Sequence, residues 1–184
     1  MKTFIAMEFD KELKDNIGKI QLKLKDKSEK GSWVYVDNLH LTLKYLGNTT
    51  QRAIEDVKSV LGNISKENKP LSFTLGELGF FPGKDILRVV YLNLDGETNE
   101  LLELFKQVEM DMRNIGFSKE RKRFKPHITL GRNILFDSTF YNIKTLIKKE
   151  LSYKFKLKTI TLMKSEYKDG KTIYTPIKRY NLKG

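Results

Sequence analysis

The sequence contains no cysteine, so it can form neither a disulfide framework nor a thiolate metal site. No apolar run approaches the roughly 20 residues that span a bilayer, and the apolar start of the chain reaches Glu8 and Asp10 too soon for a signal peptide. With only four prolines and no stretch rich in Pro, Gly or Ser, the chain lacks an obvious linker. We therefore expect one cytoplasmic domain over residues 1–184, without membrane association.

Positive charge is in clear excess. Lys and Arg number 35 against 23 Asp and Glu, which gives a net charge of +12. Such an excess favours polyanionic partners, nucleic acid above all, because binding releases counterions. The alternative is a general enrichment in lysine over every solvated face. The densest basic segment, residues 119–125, lies immediately before His127, and this position favours a functional role.

Hydrophobic periodicity predicts an α+β fold with mostly antiparallel strands. Strands are predicted at residues 2–9, 33–36, 39–46, 71–78, 86–94, 127–130, 155–163 and 172–180, with 71–78 and 86–94 forming a hairpin through the turn 79–83. Helices are predicted from Asp10 to Leu24 and at 51–61, 97–115 and 138–151. Because a helix closely follows each of the two strands that contain histidine, we expect two similar lobes that share one core.

The only two histidines begin the same kind of tetrad. The tetrads are His40-Leu41-Thr42-Leu43 and His127-Ile128-Thr129-Leu130. Alternate residues of a β-strand share a face, so each histidine lies beside the threonine two positions later while the apolar residues face the core. Each strand then offers an imidazole and a hydroxyl about 6–7 Å apart. The identical setting of both histidines indicates a site rather than two unrelated structural residues.

Two imidazoles and two hydroxyls around one cleft suit a small anion that contains phosphate. The hydroxyls can donate to non-bridging oxygens, and two histidines that titrate near neutrality can supply the acid and the base of an in-line displacement. A 2′,3′-cyclic phosphate is an activated diester, which water can open without a metal. Neutral histidine also binds zinc, but neither tetrad has a carboxylate beside it at metal-ligand spacing, so we expect no metal.

The motifs resemble those of the two-histidine phosphoesterases, and within them the RNA 2′,3′-cyclic phosphodiesterases, also called 2′-5′ RNA ligases. Nearly the whole chain takes part: residues 4–6 resemble the family's first strand, 39–47 its first signature, 88–92 its arginine-led central strand, 124–132 its second signature and 165–174 its closing hairpin. The family often has an arginine just before the aromatic residue of the first strand. Here Lys2 and Thr3 precede Phe4, so an N-terminal phosphate contact is not carried over.

The resemblance implies a bilobal fold with outer helices around a central cleft, no cofactor, and opposite roles for the two histidines. His40 would act as the general acid on the departing 3′-oxygen, and His127 as the general base on water, which leaves a 2′-phosphate. Thr42 and Thr129 would hold the phosphate. The residues themselves do not decide which histidine is the acid.

Further contacts are expected around the second tetrad. Arg132 follows this tetrad where Tyr45 follows the first, so it either adds a cation to the phosphate site or ends the strand at the surface. Phe124 would stack on a terminal base or pack in the fold. Together with Tyr45, Arg123 and Lys125, it completes the set of residues expected to contact RNA.

The expected substrate is RNA with a 2′,3′-cyclic phosphate end, tRNA fragments among them, acted on by a monomer. A phosphodiesterase of 2′-5′ oligoadenylate, or of a small cyclic nucleotide, would use the same four residues with a different pocket. Reversal of the hydrolysis would join RNA ends through a 2′-5′ linkage, and equilibrium in water disfavours it. The alternative outside enzymes is a non-catalytic RNA-binding protein whose histidines only contact phosphate.

Overall fold

The computed structural model describes residues 1–183. Along the chain the elements are β1 (Lys2–Glu8), α1 (Lys11–Asp26), β2 (Ser28–Trp33), a 3₁₀ turn (Val36–Asn38), β3 (His40–Asn48), α2 (Gln51–Glu67), β4 (Leu71–Pro82), β5 (Leu87–Gly96), α3 (Thr98–Asn114), β6 (Ile128–Phe136), α4 (Phe140–Leu146), a second 3₁₀ turn (Lys148–Ser152), β7 (Lys154–Leu157), β8 (Thr159–Lys168) and β9 (Lys171–Asn181). None of the helices in the described residues is long and apolar enough to cross a membrane.

The strands form two antiparallel sheets. The first has four strands in the order β3-β1-β8-β9, and the second has five in the order β2-β6-β5-β4-β7. β3 begins at His40 and is an edge strand of the first sheet, whereas β6 directly follows His127 and is an inner strand of the second. The prediction of an α+β fold with two lobes of antiparallel sheet is therefore confirmed.

One cluster of buried apolar side chains joins both sheets and the helices. It contains Leu41 and Leu43 from the first tetrad and Ile128 and Leu130 from the second. Burying such a side chain contributes about 1.5–3 kcal/mol. A slip of one residue would turn the apolar residues outwards and the histidine inwards, so burial strongly determines the register of both strands.

Helix α1 begins and packs as its sequence predicts. The Asp10 side chain accepts a hydrogen bond from Leu13 N at 2.8 Å and so caps the first turn. The predicted apolar face is buried along the whole helix and comprises Leu13, Ile17, Ile20 and Leu24. This face holds the helix against the common core.

The strand predicted at 33–36 was wrong. The strand of this region is β2, and residues Val36–Asn38 form a 3₁₀ turn instead. β2 pairs with β6, where Ser32 lies opposite Arg132 and Trp33 opposite Gly131. Sheet pairing thus recruits a polar stretch, Ser28–Trp33, that has no apolar alternation of its own.

The single strand predicted at 155–163 is in fact two strands in different sheets. β7 pairs with β4, and β8 pairs with β1. The chain passes from one sheet to the other at Lys158, between Leu157 and Thr159. A continuous alternation of apolar residues carries no signal for such a change of partner.

Further boundaries differ from prediction, among them the end of α2 at Glu67 and the end of β6 at Phe136. The helix predicted at 138–151 is shorter, because α4 ends at Leu146 and a 3₁₀ turn follows. The hairpin turn predicted at 79–83 lies later, since β4 continues to Pro82 and the turn is closed by a hydrogen bond from Gly83 N to Ile86 O of 3.0 Å. Cross-strand pairs such as Phe81 with Val89 extend the hairpin beyond its glycine signal.

Candidate active site

Residues of both sheets and of the segment between α3 and β6 line one cleft of about 1560 Å³. All the predicted site residues lie on its wall, namely His40, Thr42, Tyr45, Arg123, Phe124, Lys125, His127, Thr129 and Arg132. The fold thus brings the two tetrads to one cleft from two different sheets. The roles assigned to these residues stay predictions.

The His40 imidazole is bound at both nitrogens. Nδ1 lies 2.6 Å from the carbonyl oxygen of Asn38. Nε2 lies 2.8 Å from Thr42 Oγ1, closer than the separation expected from strand spacing, because the two side chains lean together. A carbonyl oxygen only accepts hydrogen bonds, so Nδ1 carries a proton and Nε2 is the nitrogen that gains or loses one. While the ring is neutral, the Thr42 hydroxyl therefore donates to Nε2.

His127 repeats this arrangement at Nδ1. Its Nδ1 lies 2.6 Å from the carbonyl oxygen of Lys125, which precedes it by two residues as Asn38 precedes His40. The same tautomer follows, with the proton on Nδ1 and the titrating nitrogen at Nε2. Both tetrads therefore present the same imidazole atom for acid or base chemistry.

Aromatic rings enclose His40 and change its titration. The ring centroids of Phe4 and Tyr174 each lie 5.1 Å from the imidazole centroid, and Tyr174 meets it edge-on. Burial, the largest effect, lowers the pKa of His40 below its ordinary value of 6.5, and the charge of Lys14 lowers it further, against the opposing hydrogen bond to Asn38 O. His40 is therefore neutral over a wider pH range than a free histidine.

A second aromatic pair encloses His127. Phe81 and Tyr91 have ring centroids 5.6 and 5.3 Å from the imidazole centroid. Burial is again the main cause that lowers the pKa of His127, helped by the positive charges of Lys125 and Arg132 and opposed by the hydrogen bond to Lys125 O. The two histidines thus have similar surroundings as well as the same tautomer.

The wall of the cleft is strongly cationic. Its basic residues with no buried partner are Lys25, Arg88, Lys122, Arg123, Lys125, Arg132 and Lys171, since Lys44 is paired with the buried Glu109 carboxylate; the single carboxylate among the lining residues that the structure describes is Glu120. A concave surface with charge of one sign concentrates ligands of the opposite sign. The cleft therefore favours a polyanion.

Arg132 lies within β6, which continues to Phe136, so it does not end the strand. Its charge reaches His127, whose pKa it lowers. Tyr45, at the matching position after the first tetrad, is 63% exposed, and its ring centroid lies 5.8 Å from that of Phe4. One end of the cleft thus has a cation where the other has an exposed aromatic ring.

Phe124 and Lys125 are held by neighbouring aromatic rings. Phe124 stacks on Phe105 of α3, with ring centroids 4.1 Å apart and planes at 6°. Lys125 Nζ donates to the Tyr91 hydroxyl at 2.6 Å and lies 4.9 Å from the centre of that ring. Packing therefore occupies one face of Phe124, and contact of its ring with an RNA base stays a proposal.

Sequence reasoning missed several residues of the cleft wall. Phe81 and Tyr174 of the wall, and the buried Tyr91 beside it, have rings next to the histidines, and Arg88 lies 5.6 Å from the centre of the Phe81 ring. Arg88, Tyr91 and Tyr174 lie in stretches 88–92 and 165–174 of the family resemblance, which was the available signal, whereas Phe81 lies outside them. Tyr91 comes close to His127 through the strand register, since Tyr91 pairs with Thr129 across β5 and β6. Such pairing cannot be predicted from local sequence.

Within residues 1–183, no group of three or more His, Cys, Asp or Glu side chains is arranged to hold a metal ion. The donors near each imidazole are a main-chain carbonyl and, at His40, a hydroxyl. Metal-independent catalysis stays a prediction that requires a direct test.

The family model of the 2′-5′ RNA ligase superfamily matches residues 9–169, a range that includes both tetrads. An RNA 2′,3′-cyclic phosphodiesterase of Methanocaldococcus jannaschii is 33% identical over 186 residues, which cover 98% of this chain and 100% of that relative. The match therefore covers nearly the whole length of both chains.

Solved structures share the architecture. The crystal structure of TT0787 of Thermus thermophilus superposes with a TM-score of 0.82 at 22% identity and covers 100% of this chain and 99% of its own, which shows the common fold. The crystal structure of E. coli LigT complexed with 3′-AMP gives a TM-score of 0.78 at 26% identity and covers 100% and 98% of the two chains.

Proposed function

This chain belongs to the 2′-5′ RNA ligase superfamily, and we propose that it hydrolyses a 2′,3′-cyclic phosphate at an RNA 3′ end to a 2′-phosphate. The observation that carries the proposal is the matched pair of imidazoles on one cationic cleft. Each has Nδ1 bound to a main-chain carbonyl, leaves Nε2 to titrate, and has a threonine two residues later on the same wall. The name of the Methanocaldococcus jannaschii relative supports the same reaction.

The two histidines divide the proton transfers of the reaction. His127 Nε2 takes a proton from a water molecule as the water oxygen forms a bond to phosphorus. The bond between phosphorus and the 3′-oxygen breaks, and protonated His40 Nε2 donates to that oxygen. One water is consumed, and the product has a 3′-hydroxyl and a 2′-phosphate. The resemblance supports this assignment of acid and base.

The remaining residues hold the anion. Thr42 and Thr129 donate from their hydroxyls to the non-bridging phosphate oxygens, and Arg132 adds a positive charge. When phosphate occupies the cleft, the Thr42 hydroxyl turns from His40 Nε2, 2.8 Å away in the free protein, towards the ligand. That exchange frees Nε2 to carry the proton that the leaving oxygen needs.

RNA supplies the rest of the binding energy through its phosphates and bases. Arg123, Lys125, Phe124 and Tyr45 contact the strand upstream of the cyclic phosphate, and E. coli LigT, complexed with 3′-AMP, supports a nucleotide phosphate as ligand. We propose that a monomeric, single-domain protein acts on RNA ends in the cytoplasm, tRNA fragments included. The same catalyst run with an RNA 5′-hydroxyl in place of water would form a 2′-5′ linkage.

The decisive experiment is incubation of the purified protein, with EDTA, with a short RNA that ends in a 2′,3′-cyclic phosphate. We expect a gain in mass of one water and a product phosphate that resists a 3′-specific phosphatase. Sensitivity to that phosphatase would reverse the assigned direction of ring opening. Turnover only of 2′-5′ oligoadenylate or of a small cyclic nucleotide would replace the substrate while keeping the site.

Variants separate an enzyme from a binding module. His127→Ala and His40→Ala should each lower kcat by about 10²–10⁴-fold, the usual contribution of a positioned acid or base. RNA binding, measured by salt-dependent fluorescence anisotropy, should change little, because neither imidazole supplies the cationic wall. A wild-type protein that binds RNA without turnover of any of these substrates would contradict the proposal.

A further inference from the structure

The chain between α3 and β6 has no regular structure, yet it carries much of the cleft wall. Residues 117–127 form neither helix nor strand and include Arg123, Phe124, Lys125 and His127. An irregular segment has no sheet ladder or helical bonding to fix it. Beyond the main-chain hydrogen bond from Phe117 N to Met112 O of 3.0 Å, its position depends on contacts made by side chains.

A buried ion pair makes those contacts at the start of the segment. Lys44 Nζ lies 2.6 Å from Glu109 Oε1, and the two side chains are 4% and 11% exposed. Lys44 Nζ also donates to the carbonyl oxygen of Ser118 at 2.9 Å, and Glu109 Oε2 accepts from the main-chain N–H of Glu120 at 3.0 Å. We call these four residues the latch.

The latch joins the two halves of the site. Lys44 lies on β3, two residues beyond Thr42, and Glu109 lies on α3. The main-chain groups that the latch binds belong to the segment that ends at His127. A single pair of side chains thus ties the strand of the first histidine to the approach to the second.

Further contacts hold the segment beyond this anchor. The Glu120 carboxylate accepts from the main-chain N–H groups of Arg121 and Lys122, which shapes the next turn. Phe124 then stacks on Phe105, and the Lys125 carbonyl binds His127 Nδ1. A series of local contacts thus leads from Lys44 along the segment towards His127 Nδ1.

We propose that Lys44 and Glu109 are positioning residues, which hold the basic segment 118–125 against the cleft so that its cations meet the RNA and its Lys125 carbonyl orients His127. The proposal rests on the proposed function for its catalytic part. A buried ion pair is weak support for stability, because apolar residues of similar volume often serve as well. What apolar residues cannot do is bind the Ser118 carbonyl and the Glu120 N–H.

A test can therefore separate the effect of the ion pair on stability from its effect on the position of segment 118–125. Lys44→Met leaves the Glu109 carboxylate buried without its cation, so it should lower Tm and also release the segment. Adding Glu109→Leu removes the unpaired charge as well, and neither side chain of the pair then binds the Ser118 carbonyl or the Glu120 N–H. The double variant should therefore regain much of the lost Tm while the segment stays released.

Two measurements report on the segment. Trypsin should cut after Arg121, Lys122 or Arg123 faster in both variants than in the wild type, a readout that needs no activity. On RNA with a 2′,3′-cyclic phosphate end, KM should rise about tenfold in both, because misplaced binding groups lose much of their contribution. Leu61→Ala is the matched control, since this fully buried residue of α2 lies outside the cleft wall and its loss should lower Tm alone.

The outcomes are distinct. If the double variant regains wild-type KM and tryptic resistance together with Tm, the pair acts only through stability and the proposal is overturned. If the control variant is cut in segment 118–125 as fast as the Lys44 variants, global unfolding explains the cleavage and the proposal also fails. Absence of turnover in the wild type would sink the proposed function, while the tryptic result would still decide whether the latch holds the segment.

Discussion

The aromatic rings that enclose both histidines should shift the pH dependence of kcat/KM to lower pH. Phe4 and Tyr174 cover His40, Phe81 and Tyr91 cover His127, and burial lowers both pKa values below 6.5. Catalysis needs one proton on the pair, on the acid and not on the base. The active form of the free enzyme is therefore most abundant below about pH 6.5.

The magnitude follows from the higher of the two apparent pKa values of the pair. Above that value the singly protonated form declines about tenfold per pH unit, whichever histidine is the acid. Since neither pKa is raised above 6.5, kcat/KM should fall by about thirtyfold between about pH 7.5 and pH 9. On the acidic side it should fall again once both imidazoles are protonated.

The assay is the initial rate at substrate concentrations well below KM, in buffers of constant ionic strength, because cleft electrostatics respond to salt. Values of kcat/KM report the free enzyme, whereas kcat reports the complex, where the bound phosphate favours protonated histidine and should move the basic limb to higher pH. A kcat/KM that stays level up to about pH 9 would refute acid catalysis by an enclosed histidine.

A variant tests burial as the cause. Tyr174→Ala opens the enclosure of His40 to water, so the pKa of His40 should return towards 6.5, and the limb of the kcat/KM profile that His40 sets should move to higher pH. Tyr141→Ala is the control, because Tyr141 is 78% exposed and lies outside the cleft wall. A profile in which neither limb moves in Tyr174→Ala would refute burial by Tyr174 as the cause of the lowered pKa of His40.

The remaining predictions concern the alternating residues of the tetrads. Thr42→Val and Thr129→Val should each lower kcat/KM by about tenfold to a hundredfold, which is the contribution of a hydrogen bond to a charged group. Thr→Ser at the same positions keeps the hydroxyl and should retain most activity. Equal losses in the Val and Ser variants would rule out the hydroxyl as the cause. Leu130→Ala should lower the free energy of unfolding by about 2–5 kcal/mol in urea titrations, because Leu130 is fully buried, while Leu102→Ala at a half-exposed site should cost far less. A loss below about 1 kcal/mol at Leu130 would show that the strand is not anchored by its core face.

Local patterns predicted the elements that carry the tetrads. The alternation of Leu41 and Leu43 with His40 and Thr42 predicted a strand with one buried face, and the structure buries both leucines. The periodic apolar residues and the Asp10 cap predicted α1 in the same way. These predictions succeed because burial of an apolar face depends on spacing along the chain, which the sequence contains.

Predictions failed where a distant partner decides. The polar stretch Ser28–Trp33 becomes a strand because it forms main-chain hydrogen bonds with β6. Residues 155–163 form two strands because their partners, β4 and β1, lie in different sheets. Glu109 carries no motif, and its importance appears only when Lys44, 65 positions earlier, is found 2.6 Å from it. No local pattern encodes which of many lysines a buried carboxylate meets.

The sequence by itself determined the chemistry that is available: two histidines in matching tetrads, a threonine beside each, an excess of positive charge and no cysteine. Only the tertiary structure decided how that chemistry is set up. It brought strands of two sheets to one cleft, assigned Nε2 as the titrating nitrogen of both rings, enclosed each ring with aromatic residues from other strands and anchored the basic segment through the latch. The reason is physical: which residues alternate along a strand is a property of local spacing, whereas burial, pKa and hydrogen-bond partners depend on neighbours that only folding brings together.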